Sequence, residues 1–208
     1  MKLVLVKPRL SYEIGPHNFD LLTRLLAPVA DGLGPDDIVL LPEHTVVDGS
    51  RDHYRDGVSQ LARRLGCHVV GGSHHEDRGH DRVNAGAVSD ASGQIIGEYE
   101  KLRPYADERG RVRSGGALGE VTIGGRRLLV LICADFWFSD VFPRAAVLPD
   151  LVLVPAHSVS RKPTPLYSRE LWRHLSIARA YELGVYVGVS DWDFTEVPGM
   201  LSPSGVSG

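Results

Sequence analysis

Three residues whose side chains can do chemistry each follow a short apolar segment of the chain. The pairs of segment and residue are Ile38–Leu41 with Glu43, Ile95–Tyr99 with Lys101, and Leu128–Ile132 with Cys133. Short apolar runs predict buried strands, and the active sites of open α/β sheets gather at the carboxyl ends of such strands. We therefore expect the carboxylate, the amine and the thiol to arrive together at a sheet edge.

This combination suits nucleophilic attack on a carbonyl or nitrile carbon. A free thiol has a pKa near ~8.5 and is only slightly ionised at neutral pH, so Cys133 needs a base. Glu43 can take the thiol proton, and the ammonium of Lys101 can stabilise a thiolate and an oxyanion. The chain has four lysines against nineteen arginines, which indicates that Lys101 serves as a compact point charge.

Each of these residues also has an ordinary structural interpretation. A glutamate after a strand usually faces solvent, and a lysine close to glutamates in sequence is typical of a surface. A cysteine in an apolar segment is commonly a small, inert hydrophobe. We keep the inert interpretation for Cys67 and favour catalytic roles for Glu43, Lys101 and Cys133.

Length and composition are those of an ordinary globular domain. The chain has 208 residues, 43% of them hydrophobic and 24% charged, with a formal net charge of −3. These values predict a single domain over residues 1–208 and give no electrostatic case for binding nucleic acid or an anionic membrane. The first apolar run is too short for a signal peptide, and no run reaches transmembrane length, so a cytoplasmic location is expected.

Predicted strands and helices alternate along the chain, which predicts a layered α/β fold with a mixed sheet. The predicted strands are Leu3–Val6, Ile38–Leu41, Val69–Ser73, Val83–Ser89, Gln94–Tyr99, Val121–Ile123, Arg127–Ile132, Leu151–Val154 and Val185–Ser190. The predicted helices are one capped by Asn18 and reaching Val29, then Asp52–Leu65, Asp140–Leu148 and Ser168–Leu183.

The segments around the three candidates resemble the signature segments of the nitrilase, or carbon–nitrogen hydrolase, superfamily. They are Leu41-Pro-Glu43, Tyr99-Glu-Lys101-Leu and Leu131-Ile-Cys133-Ala-Asp135, and they follow the family's order. The spacing of 32 residues from lysine to cysteine (133 minus 101) is similar as well. Supporting segments extend the resemblance over nearly the whole chain: Gly66–Ser73, Asn84–Val88, Asp90–Gly93, Ile177–Val187 and Gly199–Gly205.

The resemblance implies a four-layer α-β-β-α sandwich and a cysteine-dependent hydrolase of a non-peptide carbon–nitrogen bond in a small-molecule amide. It implies that Cys133 attacks, that Glu43 shuttles the proton, and that Lys101 and the backbone N–H of Ala134 hold the oxyanion. No metal or organic cofactor is implied. Two alternatives stay open: an acyltransferase that makes amides with the same residues, and a catalytically silent scaffold used for binding or assembly.

The remaining site candidates rest on weaker patterns. Glu108 is placed where family members carry a second glutamate, but its arginine-rich neighbourhood equally suits a solvated loop or recognition of a substrate carboxylate. Asp135 and Arg179 resemble structural supports near the nucleophile. Candidate substrate contacts are Phe136, Trp137, His157, Ser158 and Trp192.

The segment from Ser73 to Asp81 contains three histidines and three acidic residues but no cysteine. This composition favours a solvated loop over a metal site.

Two departures from the family pattern bear on assembly. The segment Ala134–Pro143 is longer than in relatives. The sequence also ends where relatives continue, so we expect either a minimal version of the fold or a sheet edge that a partner subunit supplies. The predicted helix Ser168–Leu183 has a wider apolar surface than one sheet face needs. We therefore expect a homodimer at least, with Phe136–Pro143 near its interface.

Overall fold

The computed structural model describes residues 1–13, 17–47, 50–160, 164–194 and 202–208. The strands of its first sheet are β1 (Leu3–Leu5), β2 (Ile38–Leu40), β3 (His68–Val70), β4 (His74–Arg78), β5 (Asp81–Ser89) and β6 (Ile95–Glu100). Those of the second sheet are β7 (Gly119–Ile123), β8 (Arg126–Val130), β9 (Leu151–Pro155) and β11 (Tyr186–Ser190), while β10 (Val159–Ser160) pairs with β12 (Ser202–Pro203). The helices are α1 (His17–Ala30), α2 (Arg51–Leu65) and α3 (Leu166–Leu183).

Both sheets are mixed, as predicted. In the first sheet β1, β2 and β3 run parallel, and β5 pairs antiparallel with β3, β4 and β6. In the second sheet β11, β9 and β8 run parallel, with β7 antiparallel to β8. The β7–β8 turn consists of Gly124 and Gly125, both at positive φ, as a two-residue hairpin requires.

The two sheets pack face to face between outer helices. Ile38 and Leu40 of β2 point into the core between the sheets, whereas Val39 and Leu41 join the core under α1 and α2. On the far side, Trp172 anchors α3 against the second sheet. The α-β-β-α sandwich is therefore confirmed, and a strand such as β2 is apolar throughout because both its faces are buried.

The predicted solvated loop between Ser73 and Asp81 is wrong, because these residues form β4 and the β4–β5 turn. Their strand pattern was hidden because the buried positions are polar. The ring of His74 stacks on Tyr54 at a centroid distance of 4.2 Å, and the buried carboxylate of Glu76 accepts a hydrogen bond from Arg78.

Two helix predictions also differ from the structure. Asn18 is not the cap of α1 but lies inside the first turn, where its side-chain amide exchanges two hydrogen bonds with the backbone of Ser11. The predicted helix Asp140–Leu148 is a 3₁₀ segment, Ser139–Arg144, which contains Pro143 and therefore lacks one backbone donor. In the predicted late segment 199–205, residues 199–201 lie outside the described part of the chain.

None of the described helices is long and apolar enough to cross a membrane.

The fold allows one stability test beside the candidate site. Gly72 has φ +70, and a Cβ there would overlap the carbonyl oxygen of Pro42 and the hydroxyl of Thr45. Gly79 has a similar φ of +66 but open space around it. We expect Gly72→Ala to lower the free energy of unfolding by about 3 kcal/mol or more, and Gly79→Ala by about 1 kcal/mol, in urea denaturation. Equal losses for the two variants would contradict the tight contact at Pro42.

Candidate active site

Glu43, Lys101 and Cys133 line one cavity of about 600 Å³. Glu43 comes shortly after β2, Lys101 directly after β6, and Cys133 shortly after β8. Their relative exposures are only 2%, 3% and 5%. Ionisable groups buried to this extent need partners, since an isolated buried charge is strongly disfavoured.

The ammonium of Lys101 is held between two carboxylates. Its Nζ lies 2.6 Å from Oε1 of Glu43 and 2.6 Å from Oε2 of Glu108. Asn84 bridges the same carboxylates, because its Nδ2 donates to Glu43 at 2.9 Å and to Glu108 at 2.7 Å. Burial alone would lower the pKa of Lys101, but the neighbouring carboxylates outweigh burial and raise it, so the side chain stays charged.

Glu108 closes a short 3₁₀ segment, Ala106–Glu108, and is buried rather than solvated. Besides Lys101 and Asn84, its carboxylate contacts Nε2 of His75 at 3.0 Å and accepts from the backbone N–H of Tyr105 at 3.0 Å. Burial opposes ionisation, but the contact with His75 and the charge of Lys101 lower the pKa of Glu108 below its ordinary value. Glu108 is therefore ionised. Together with Glu43, Lys101 and Asn84 it forms a buried charged cluster.

The backbone around Glu43 is fixed from three directions. Its N–H donates to the carbonyl of Ala156 at 3.2 Å, and its carbonyl accepts from the indole Nε1 of Trp192 at 2.7 Å. Its side-chain Oε2 accepts from the backbone N–H of His157 at 3.1 Å. These contacts hold the carboxylate in one orientation facing the cavity.

Cys133 begins a 3₁₀ segment, Cys133–Trp137, in a strained conformation with φ +46. Its Sγ lies 3.9 Å from the carbonyl oxygen of His157. Burial and the nearby Glu43 carboxylate raise the thiol pKa well above its ordinary value, although Lys101 opposes them. The resting side chain is therefore a neutral thiol, which needs a base to become a nucleophile. Ala134, the next residue, is fully buried.

Asp135 connects the cysteine segment to the lysine segment. Its carboxylate accepts from the backbone N–H groups of Leu102 at 2.9 Å and Arg103 at 2.8 Å, and burial raises its pKa to about 6. Arg179 of α3 donates to the carbonyl of Trp137 at 3.3 Å. Both residues thus fix the backbone on either side of the cavity.

A second cavity of about 790 Å³ also opens at Cys133. His157 lines both cavities, and Trp137 and Ser158 line the second. The second cavity has a largely apolar wall made of Tyr105, Tyr167, Leu171, Trp172 and Leu175. Cys133 therefore lines both cavities, one with charged side chains in its wall and one with a largely apolar wall.

Two of the predicted substrate contacts line neither cavity. Phe136 is fully buried in the core between Phe142 and Trp172. Trp192 is buried behind His157, at a ring-centroid distance of 4.8 Å, and holds the carbonyl of Glu43. Their aromatic character reflects packing around the site.

Sequence reasoning missed three residues of the site. Asn84 lies in the predicted strand Val83–Ser89 and carries no signal of a role in the site, and the composition around His75 predicts a solvated loop. His44 directly follows Glu43 at φ +56 and lines the same cavity. Burial, reinforced by His75, lowers the pKa of His44 to about 3, so its imidazole is neutral. Histidine is tolerated at positive φ more readily than most residues, which is the only signal that His44 carried.

Comparisons with known proteins identify the family of this chain. Residues 16–192 match the sequence profile described as carbon-nitrogen hydrolase. The 2-oxoglutaramate amidase of Bacillus subtilis (strain 168) is 30% identical over 132 residues, which is 62% of this chain. The match spans 49% of that amidase, or about half its length.

Two solved structures show the same fold. A CN-hydrolase superfamily protein from Xanthomonas campestris, which carries an arsenic adduct in its active site, superimposes with a TM-score of 0.79 at 22% identity over 99% of this chain and 83% of that one. A variant of the amidase from Nesterenkonia sp. AN1, with acrylamide added to its active-site cysteine, gives a TM-score of 0.73 at 21% identity over 99% and 85%.

We expect Lys101→Met to lower the stability of the protein strongly. Removing the ammonium leaves two buried carboxylates facing each other, so we expect the free energy of unfolding to fall by about 3–5 kcal/mol at pH 7 in urea denaturation. Arg127→Met is the matched control. It breaks an ion pair with Asp150 on the surface, where water screens the charges, and should leave stability nearly unchanged. A Lys101→Met variant as stable as the control would contradict a charged, buried Lys101.

Proposed function

Because this chain belongs to the carbon–nitrogen hydrolase family, we propose that it hydrolyses the amide bond of a small molecule through a thioester on Cys133. The observation that carries this proposal is the position of Lys101, which lies 2.6 Å from Glu43 in the cavity that contains Cys133. A base and a cation beside a neutral thiol are the groups that acyl transfer to sulfur requires.

In the first half-reaction Glu43 accepts the proton of Cys133 while sulfur attacks the amide carbon. Negative charge develops on the amide oxygen, and the ammonium of Lys101 and the backbone N–H of Ala134 stabilise it. The tetrahedral intermediate then breaks its C–N bond. Glu43 returns the proton to the departing nitrogen, and ammonia or an amine leaves.

In the second half-reaction Glu43 takes a proton from water, and the oxygen attacks the thioester carbon. The C–S bond breaks, sulfur recovers the proton from Glu43, and the carboxylic acid departs. Glu108 acts through its partners in both steps, because it holds Lys101 while Asn84 fixes the distance between the two carboxylates. We therefore assign Glu108 a positioning role.

Two observations support an amide as substrate. The cavities of about 600 and 790 Å³ at Cys133 suit small molecules. The curated relative is a 2-oxoglutaramate amidase and the Nesterenkonia protein is an amidase, so the substrates of both are small amides.

Acyl transfer to an amine is the second candidate, and the pair of cavities at Cys133 favours it. A thioester formed in one cavity leaves the other open to an amine that competes with water. Whether free acid or a new amide accumulates depends on which nucleophile reaches the thioester carbon.

Turnover on a panel of small amides, ureas and nitriles tests the proposal. We expect the parent protein to release ammonia or an amine from at least one amide, and Cys133→Ala to lose at least about 10³-fold in kcat because the covalent route disappears. Cys67→Ala is the matched control, since this second buried thiol lies under α2 and should not affect turnover.

Three results separate the alternatives. New amide formed with added amines would favour the transferase. Activity that survives in Cys133→Ala would contradict the proposed nucleophile. No turnover on the whole panel, together with no reaction of Cys133 with iodoacetamide, would favour a silent scaffold.

We also propose a homodimer that covers the outer face of α3. The apolar side chains on this helix that are more than half exposed and lie away from the second cavity are Leu166, Ile177 and Tyr181. Phe138, in the segment 136–143, is 40% exposed. Apolar surface of this extent is typical of interaction sites, and isologous pairing is the commonest way to cover it.

Light scattering at micromolar concentration should report twice the chain mass of 22.7 kDa. Ile177→Arg on α3 should yield monomer, whereas Leu25→Arg should not, because Leu25 is similarly exposed but lies on α1 in the opposite outer layer. A monomeric parent protein would contradict the proposed dimer.

A further inference from the structure

Two imidazoles stand over the carboxylates of the cluster. Nε2 of His75 lies 3.0 Å from Oε1 of Glu108, and Nε2 of His44 lies 3.8 Å from Oε1 of Glu43. The two rings meet edge to face with centroids 4.7 Å apart. One donor atom from each of His44, His75 and Glu108 lies within 4.8 Å of the other two.

The charges of the cluster do not cancel. Glu43 and Glu108 contribute two negative charges, and Lys101 is the one cation within hydrogen-bonding distance of both among the described residues. The buried group therefore has one negative charge in excess. A further cation at its edge would be attracted to that charge.

We propose that His44, His75 and Glu108 bind a zinc ion at the mouth of the cavity that contains Cys133. Two imidazole nitrogens and a carboxylate oxygen form a donor set that zinc accepts, with the fourth position open to water or to Glu43. Rotations of the His44 and His75 side chains, which are 22% and 29% exposed, would bring the donors from their present separations to the ~2.0–2.2 Å bonds of a zinc site.

Zinc at this position would inhibit the proposed hydrolase. Lys101 contacts Oε2 of Glu108, so Oε1 is the oxygen that faces His75 and the ion. The ion would compete with Asn84 for Oε1 of Glu108 and would occupy part of the cavity in front of Cys133. The inhibition rests on the proposed function, whereas the binding does not.

The test is a calorimetric titration of the whole protein with zinc chloride at neutral pH. One ion per chain is expected, and His44→Asn and His75→Asn should each raise the dissociation constant at least about tenfold. Asparagine suits both substitutions, because it tolerates the positive φ of His44 and removes the imidazole of His75 while keeping a polar side chain there. His80→Asn, at an exposed turn beside the same strand, is the matched control and should bind as the parent does.

Two further measurements keep the outcome decisive if a variant unfolds. Cys133→Ala should retain zinc binding, and the X-ray absorption spectrum of the parent complex should show imidazole ligands and no sulfur at ~2.3 Å. Zinc bound through sulfur, or equal affinity in the parent, His44→Asn and His75→Asn proteins, would overturn the site. Zinc binding by a protein that turns over no amide would reject the proposed function and leave the zinc site intact. An amide turnover rate that is the same with and without bound zinc would reject the inhibition.

Discussion

The structure of this site depends on one buried ammonium held between two buried carboxylates. The charge of Lys101 compensates the burial of both carboxylates, and they in turn raise the pKa of Lys101 despite its burial. The cluster also requires a specific arrangement of the strands that carry it. Glu43 follows β2 and Lys101 follows β6, so the first sheet must place these strand ends where the two side chains can meet, although β3 and β5 lie between the strands. Lys101 donates its backbone N–H to Asn84, whose side chain bridges both carboxylates.

Backbone strain is concentrated around the same cavity. Among the described residues, positive φ outside glycine is found at His44, Ala106 and Cys133, and all three line the cavity. Such strain persists only where surrounding contacts fix the conformation. Asp135 supplies such contacts from behind Cys133, and Trp192 supplies them behind Glu43. The buried aromatic and acidic residues around the site therefore maintain the conformations that point the reactive groups inward.

The sequence allowed the layered fold to be predicted, together with the convergence of Glu43, Lys101 and Cys133 on one cavity, because each of these residues follows a short apolar run. The runs before Glu43 and Cys133 are buried throughout, whereas β6 before Lys101 has one partly exposed face. Glu108 could not be assigned, since its neighbours in sequence are arginines and its burial depends on the turn at Ala106. His44 and His75 were missed for a related reason. β4 buries polar residues, so the alternation that identifies a half-buried strand was absent, and a histidine after Glu43 carries no pattern of its own. Tertiary contacts determine these positions.

The central claim is that sulfur of Cys133 carries the acyl group, and intact-mass spectrometry of the acid-quenched protein during turnover tests it most directly. A hydrolysed amide should add the mass of its acyl group to one site, which peptide mapping places on Cys133. Glu43→Gln should form this adduct much more slowly than the parent protein, because no base is then left to take the thiol proton. An adduct on another residue would contradict the account. So would turnover by the parent protein with no adduct detected when a single turnover is quenched in acid.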